Sequence, residues 1–135
     1  CEASANSSEN VICWGTGEPL REFMHVDDLG EAVVFALENW NPSSNSAPVD
    51  NEGNPLSLLN VGTGKDISIK ELSEKIARMT NFKGDIIWDK SKPDGTLKKQ
   101  LDINMIRSLG WESKIDLDQG IRSTIEIYKK TKKII

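Results

Sequence analysis

The first third of the chain changes from a short apolar run to a helical repeat. Residues 11–14 predict a buried strand, residues 15–19 a turn, and residues 20–26 a second extended segment. Apolar side chains then recur three or four positions apart, which is the spacing of one helix face. This predicted inner face comprises Leu29, Ala32, Val33, Ala36, Leu37 and Trp40.

Capping residues predict where four helices begin or end. For the first, Asp27 or Asp28 is the predicted N-cap, with Glu31 at capping-box spacing from Asp28, and residues 41–42 (Asn-Pro) end it. Three later helices are predicted to start at Ser68 with Glu71 in its capping box, at Asp102 before a stop at Gly110, and at Asp116 with Gln119 at N3. The predicted apolar stripe of the helix that starts at Ser68 comprises Ile69, Leu72, Ile76 and Met79. That of the helix that starts at Asp116 comprises Leu117, Ile121, Thr124, Ile125 and Tyr128.

The remaining segments predict short strands and loops. Apolar runs predict strands at 56–61 and 85–88, and polar stretches with glycine or proline predict loops at 41–55 and 91–100. Short strands mixed with about four helices indicate an α/β class that lacks a complete Rossmann fold. We expect residues 1–10 to be disordered or a linker, and residues 11–135 to form one domain.

Composition excludes several classes of function. A net charge of -4 argues against a nucleic-acid binder, which needs a basic surface to displace counterions. No run approaches the roughly 20 apolar residues of a membrane span, and the first residues have no apolar signal-peptide core. Cys1 and Cys13 fit neither a disulfide framework nor a metal site. We therefore expect a cytoplasmic protein with no membrane contact, and a piece of a longer chain because the sequence starts at Cys1 and not Met.

Three motifs have an ordinary structural interpretation that outweighs the functional one. Residues 61–65 (VGTGK) lack the four-residue spacing of a phosphate loop and the third glycine of a dinucleotide fingerprint, so they predict a strand-to-helix turn. Tyr128 and Lys132 have the spacing of a Tyr-x-x-x-Lys pair, but Tyr128 completes an apolar stripe and is predicted to lie at the core edge. His25 has no partner that the sequence can place, which favours a structural histidine at a strand-to-helix junction.

Arg21 and Trp14 are more ambiguous from the residues alone. Arg21 follows a glycine–proline turn, where a planar guanidinium suits bidentate capture of a phosphate. The alternative is a surface ion pair. Trp14 either stacks on a sugar or fills the core.

Several motifs together resemble the extended short-chain dehydrogenase/reductases that act on nucleotide sugars. In chain order they are WGTG at 14–17, PLREFMHVDD at 19–28, NVGTG at 60–64, SKPDGT at 91–96, LD at 101–102 and LGW at 109–111. The first and the fourth are more similar to the GDP-L-fucose synthase family than to UDP-sugar epimerases or dehydratases. The resemblance covers about residues 11–128.

The resemblance implies a two-domain enzyme whose N-terminal Rossmann domain binds NADP and carries every catalytic residue. This chain would be the C-terminal lobe that closes over a GDP-sugar, and it would be inactive alone. Matching positions make Arg21 the diphosphate contact, Trp14 a nucleotide-sugar contact and Asp94 an acceptor for the nucleoside. The reaction would be epimerisation of GDP-4-keto-6-deoxy-mannose followed by reduction with NADPH. The enzyme would be a homodimer through the absent domain, and the fragment a monomer.

Two alternatives stay open at this point. One is another epimerase or dehydratase of the same superfamily, which differs in the base that it recognises. The other is a binding module with no enzyme attached, which the sequence upstream of residue 1 would reveal.

Overall fold

The computed structural model describes residues 1–45 and 47–133 as five helices and five short strands. Ser46, inside the predicted loop 41–55, and the last two residues of the predicted domain lie outside the described residues. The helices are α1 (Glu2–Ala5), α2 (Val26–Asn39), α3 (Ile69–Met79), α4 (Asn104–Ser108) and α5 (Leu117–Lys132). The strands are β1 (Asn10–Trp14), β2 (Leu20–Glu22), β3 (Asp66–Ser68), β4 (Asp85–Asp89) and β5 (Lys98–Lys99). The mixed α/β class is confirmed.

The strands form two small sheets. β1 runs parallel to β4, with Ile12 opposite Ile87. In the other sheet β2 is central, antiparallel to β3 and parallel to β5. Arg21 is thereby opposite Lys99, although 78 positions separate them in the chain. The sequence predicts a loop through residue 100, and this two-residue strand is too short to leave a pattern.

Two of the four predicted helix starts are confirmed, and two are wrong. The N-cap of α4 is Ile103, one residue after the predicted Asp102, whose carboxylate accepts the Asn104 amide at 2.9 Å. Ser68 forms a complete capping box with Glu71, and the Asp116 side chain accepts a hydrogen bond from the Gln119 amide. α2 is capped by His25 and not by an aspartate, since its backbone becomes helical at Val26. The ring of His25 accepts the Asp27 amide through Nδ1 at 3.3 Å.

Two segments differ from their predicted state. Residues 56–61 form no strand, because no neighbouring strand pairs with them, and Leu58 is 81% exposed. Within residues 1–10, where we expected disorder or a linker, residues 2–5 form one helical turn. Ser4 of that turn donates to the Thr80 carbonyl at 2.7 Å, and Tyr128 donates to Glu2 at 2.6 Å. These two hydrogen bonds attach the turn to α3 and α5.

The fully buried core is small, and α2 contributes little to it. Among the described residues the buried hydrophobic cluster comprises Ala32, Ile103, Ile106 and Trp111. The predicted inner face of α2 is wrong in large part, since Leu29, Val33 and Leu37 are 45%, 50% and 81% exposed. An apolar helix face normally packs against another element, and the described chain supplies none for this one.

A buried carboxylate fixes the start of α2. Asp28 is 2% exposed and accepts the backbone amides of Lys114 and Ile115 at 3.0–3.2 Å. These bonds hold the segment before α5 against the first turn of α2. Across the described ranges, no helix combines the length and apolar character needed to cross a membrane.

Candidate functional site

Three residues were singled out from the sequence, and the loop at residues 91–97 connects them. It carries Asp94 and contacts Trp14 and Arg21. It follows β4 and precedes β5, and its residues are exposed. Lys92 lies over Trp14, Asp94 bonds to the turn after β1, and Gly95 lies against Arg21. The structure therefore brings Trp14, Arg21 and Asp94 to one side of the molecule, around this loop.

Trp14 ends β1 with its side chain facing solvent. It is 73% exposed, so the core-filling alternative is wrong in this chain. The Lys92 ammonium lies 5.6 Å from the ring centroid, within the range of a cation–π contact. An exposed indole beside a lysine can stack on a planar or sugar ring whose attached phosphates face the cation.

Asp94 is bound to Thr16. One carboxylate oxygen accepts the Thr16 amide at 2.8 Å, and the other accepts the Thr16 hydroxyl at 2.6 Å. The hydroxyl bond and then the amide bond hold the pKa of Asp94 below its usual value. Gly15, with φ +80°, has no side chain to block this carboxylate. Asp94 thus fixes the loop to the turn after Trp14, and since a carboxylate accepts about four hydrogen bonds, sites remain for a ligand.

Arg21 lies on β2 with its guanidinium against loop 91–97. Its Nη1 donates to the Leu20 carbonyl at 2.6 Å, and Nη2 would lie 3.1 Å from a Cβ built at Gly95. Among residues 1–45 and 47–133, no carboxylate forms an ion pair with Arg21. The surface ion-pair alternative is therefore wrong within these residues, and the guanidinium keeps free donors.

Lys99 is the site residue that sequence reasoning missed. It is opposite Arg21 in the β2–β5 pair, and both line an open groove of about 510 Å³. The other lining residues are Glu22, Met24, Val61, Gly62, Gln100 and Leu101. Lys99, like Arg21, has no ion-pair partner in the described part of the chain. The groove also contains the Glu22 carboxylate, but neither cation is paired with it, so their donors remain available to an anionic group.

The glycine turn at 62–64 is closed to phosphate. The carboxylate of Glu22 accepts the Gly64 amide at 2.5 Å and the Thr63 hydroxyl at 3.2 Å. It lies so close to Gly62 that an added Cβ would be 2.5 Å from its oxygen. A negative group already holds the donors that a phosphate would use. The prediction that this turn is not a phosphate loop agrees with this geometry.

Neither His25 nor Tyr128 is arranged as a catalyst. His25 caps α2, and its other ring nitrogen lies 3.1 Å from the Ser123 hydroxyl on α5. Tyr128 donates to Glu2, and this bond raises the pKa of the phenol. A catalytic tyrosine paired with a lysine needs the opposite shift, because its phenolate must be favoured. Both residues instead join elements of the fold.

Comparisons with known proteins give this geometry its context. Residues 2–47 match the NAD dependent epimerase/dehydratase family. The GDP-L-fucose synthase of Escherichia coli (strain K12) is 41% identical over 125 residues, which are 93% of this chain and 38% of that protein.

Solved structures resemble the chain over nearly its whole length. A GDP-6-OMe-4-keto-L-xylo-heptose reductase from C. jejuni has a TM-score of 0.81 and 35% identity, covering 91% of this chain and 34% of that one. The GDP-mannoheptose C4 reductase from Campylobacter jejuni, solved with NADP bound, has a TM-score of 0.70 and 32% identity, covering 90% and 32%.

The matches cover most of this chain but only a part of each relative. The chain spans 32% to 38% of each relative's length, while those relatives cover at least nine-tenths of the chain. The resemblance deduced from the motifs at 14–28 and 91–111 is thus confirmed by identity along the chain. The chain is therefore similar along its length to a part of the GDP-L-fucose synthases, and its first third matches the NAD dependent epimerase/dehydratase family.

Proposed function

We propose that this chain is the GDP-sugar-binding part of a longer NADP-dependent epimerase/reductase that forms GDP-L-fucose. The observation that carries the proposal is the pair Arg21 and Lys99, two cations on adjacent strands that form no ion pair within the described residues. A diphosphate carries two or more negative charges, and a planar guanidinium binds its oxygens in a bidentate manner. The relatives are named for reactions of GDP-sugars, which supports GDP as the nucleotide.

The proposed ligand extends from this cation pair along loop 91–97. Arg21 and Lys99 hold the diphosphate, Trp14 packs on the nucleotide-sugar, and Asp94 accepts hydrogen bonds from the nucleoside. Asp94 keeps unused lone pairs beside its two bonds to Thr16, which supports that role. Because Asp94 also holds the turn after Trp14, nucleoside binding and the position of the indole are coupled.

The chemistry belongs to polypeptide outside this chain. NADPH, which supplies hydride when bound, needs a glycine-rich turn with free backbone donors, and Glu22 occupies those of the 62–64 turn. The residues present therefore do not fit a dinucleotide pyrophosphate at that turn. We assign cofactor binding and catalysis to the remaining two-thirds or so of the enzyme, and expect the 135-residue chain alone to be inactive.

The exposed face of α2 supports such a further domain. Leu29, Val33 and Leu37 form an apolar surface on the helix that directly follows the site strand. We propose that this surface packs against the cofactor-binding domain. The whole enzyme is proposed to be a cytoplasmic homodimer whose subunit contacts lie in that domain.

Titration calorimetry with GDP tests the proposal in the intact enzyme. Arg21→Lys keeps the charge but loses the planar fork, so GDP binding should weaken by about 1–3 kcal/mol, the scale of hydrogen bonds to charged groups. The control is Arg122→Lys, the same exchange at an exposed position of α5, which should bind GDP like the wild type. Equal GDP affinity of Arg21→Lys and wild type would contradict the proposal, and tighter binding of UDP would indicate a UDP-sugar enzyme.

A further inference from the structure

Glu22 is the residue next to Arg21, and its carboxylate joins three segments. It accepts the Thr63 hydroxyl and the Gly64 amide through Oε1, and the Leu101 amide through Oε2 at 3.2 Å. The first two donors belong to the turn before β3, and the third lies just after β5. All three segments contribute lining residues or neighbours to the groove that contains Arg21 and Lys99.

The surroundings of Glu22 are built around its charge. Gly62 leaves no room for a side chain, because an added Cβ would be 2.5 Å from the carboxylate. No lysine or arginine forms an ion pair with Glu22 within the described ranges, so N–H and O–H donors alone satisfy it. A carboxylate accepts at every lone pair, whereas the nitrogen of a glutamine accepts none. In the Glu22→Gln variant, the side-chain NH2 group, which is a donor, would therefore face a donor of the protein.

We infer that Glu22 is a positioning residue that sets the distance between Arg21 and Lys99 for an anionic ligand. β5 has only two residues, so its backbone pairing with β2 is a weak constraint on that distance. The Leu101 amide, two residues after Lys99, is fixed by Glu22 from the strand that carries Arg21. The inference rests on the proposed function, because it assigns Glu22 a role in the same diphosphate site.

The test combines Glu22→Gln with Arg21→Ala in the intact enzyme, and measures the Kd of GDP by calorimetry. Glu22→Gln alone should raise the Kd about tenfold, which corresponds to about 1.4 kcal/mol, or roughly one charge-assisted hydrogen bond. In the Arg21→Ala background the same change should raise the Kd by less than about twofold, since a distance between two cations has no effect once one is removed. The steady-state KM for the GDP-sugar should rise with little change in kcat.

Two further variants separate the effect of the hydrogen bonds to Glu22 from the effect of its charge. Thr63→Val removes the hydroxyl that donates to Glu22 and that also accepts the Lys65 amide at 3.2 Å. It should raise the Kd by about two- to threefold with the same dependence on Arg21. Glu31→Gln also removes one negative charge, but its carboxylate pairs with Lys114 on another surface, so GDP affinity should stay at the wild-type value. Thermal unfolding of each variant reports whether the fold is retained, and Thr63→Val replaces Glu22→Gln if the latter does not fold.

The outcomes separate the two proposals. If Arg21→Ala leaves the Kd unchanged, the diphosphate site itself is wrong, and the role of Glu22 with it. If Arg21→Ala weakens GDP binding but Glu22→Gln does not, only the positioning role is wrong. An equal loss from Glu22→Gln in both backgrounds would also refute it, because Glu22 would then support the fold in general and not the spacing of the two cations.

Discussion

The exposed face of α2 gives a prediction that does not depend on the ligand. Leu37 is 81% exposed in this chain, and we propose that the rest of the enzyme covers it. Fully burying a leucine side chain contributes about 1.5–3 kcal/mol, so four-fifths of that burial is worth about 1–2.5 kcal/mol. Leucine and lysine have similar helix propensities, so Leu37→Lys should leave α2 itself intact. The intact enzyme should therefore lose about 1–2.5 kcal/mol of unfolding free energy, with a further cost if the ammonium cannot reach water.

Urea unfolding of the intact enzyme measures this loss. The control is Ile127→Lys, an exchange on α5 at a side chain that is 61% exposed and lies away from the helix's predicted apolar stripe. That variant should stay within about 0.5 kcal/mol of wild type, as surface substitutions usually do. If Leu37→Lys were as stable as Ile127→Lys, the α2 face would be a solvent-exposed surface, and the argument for a covering domain would be refuted.

Two further predictions concern carboxylates. Asp28→Ala leaves the part-buried amides of Lys114 and Ile115 without this acceptor, so the free energy of unfolding should fall by about 2–4 kcal/mol in a denaturant titration. A fall below about 1 kcal/mol would contradict this. Asp94 has a lowered pKa in the folded state, so its stabilising bonds to Thr16 are present above the unfolded value and are lost as the pH falls through the folded pKa. The difference in unfolding free energy between wild type and Asp94→Asn should therefore be constant from about pH 5 to 7 and shrink below the reference pKa of 3.8. A difference that grows on acidification would contradict a stabilising role of the Asp94–Thr16 bonds.

Local signals in the sequence were sufficient for several elements. Ser68 and Asp116 cap their helices as predicted, because a capping interaction involves residues only three positions apart. The N-cap of α2 is wrong by two or three positions, since His25 was not considered as a cap, although its ring nitrogen accepts as an aspartate oxygen does. The helical spacing of apolar residues in α2 was predicted correctly. Such a repeat does not show whether the element that packs on the apolar face belongs to the same chain.

The site required contacts that no local pattern contains. The motifs identified Trp14, Arg21 and Asp94, and the structure gathers them around loop 91–97. Lys99 was missed because its significance depends on pairing with a strand 78 residues earlier. Glu22 was part of the motif at 19–28 but was not singled out, because its three donors come from two distant segments. Whether Trp14, Arg21 and Asp94 contact substrate stays a prediction.

Hydrogen–deuterium exchange of the intact enzyme, with and without saturating GDP, tests the location of the proposed site most directly. GDP should slow exchange in residues 14–22 and 91–101, the two segments that carry Trp14, Arg21, Asp94 and Lys99. Exchange in α5 should change little, because that helix contributes no residue to the groove. Protection by GDP that is confined to segments outside 14–22 and 91–101 would contradict the account, since the nucleotide would then bind elsewhere.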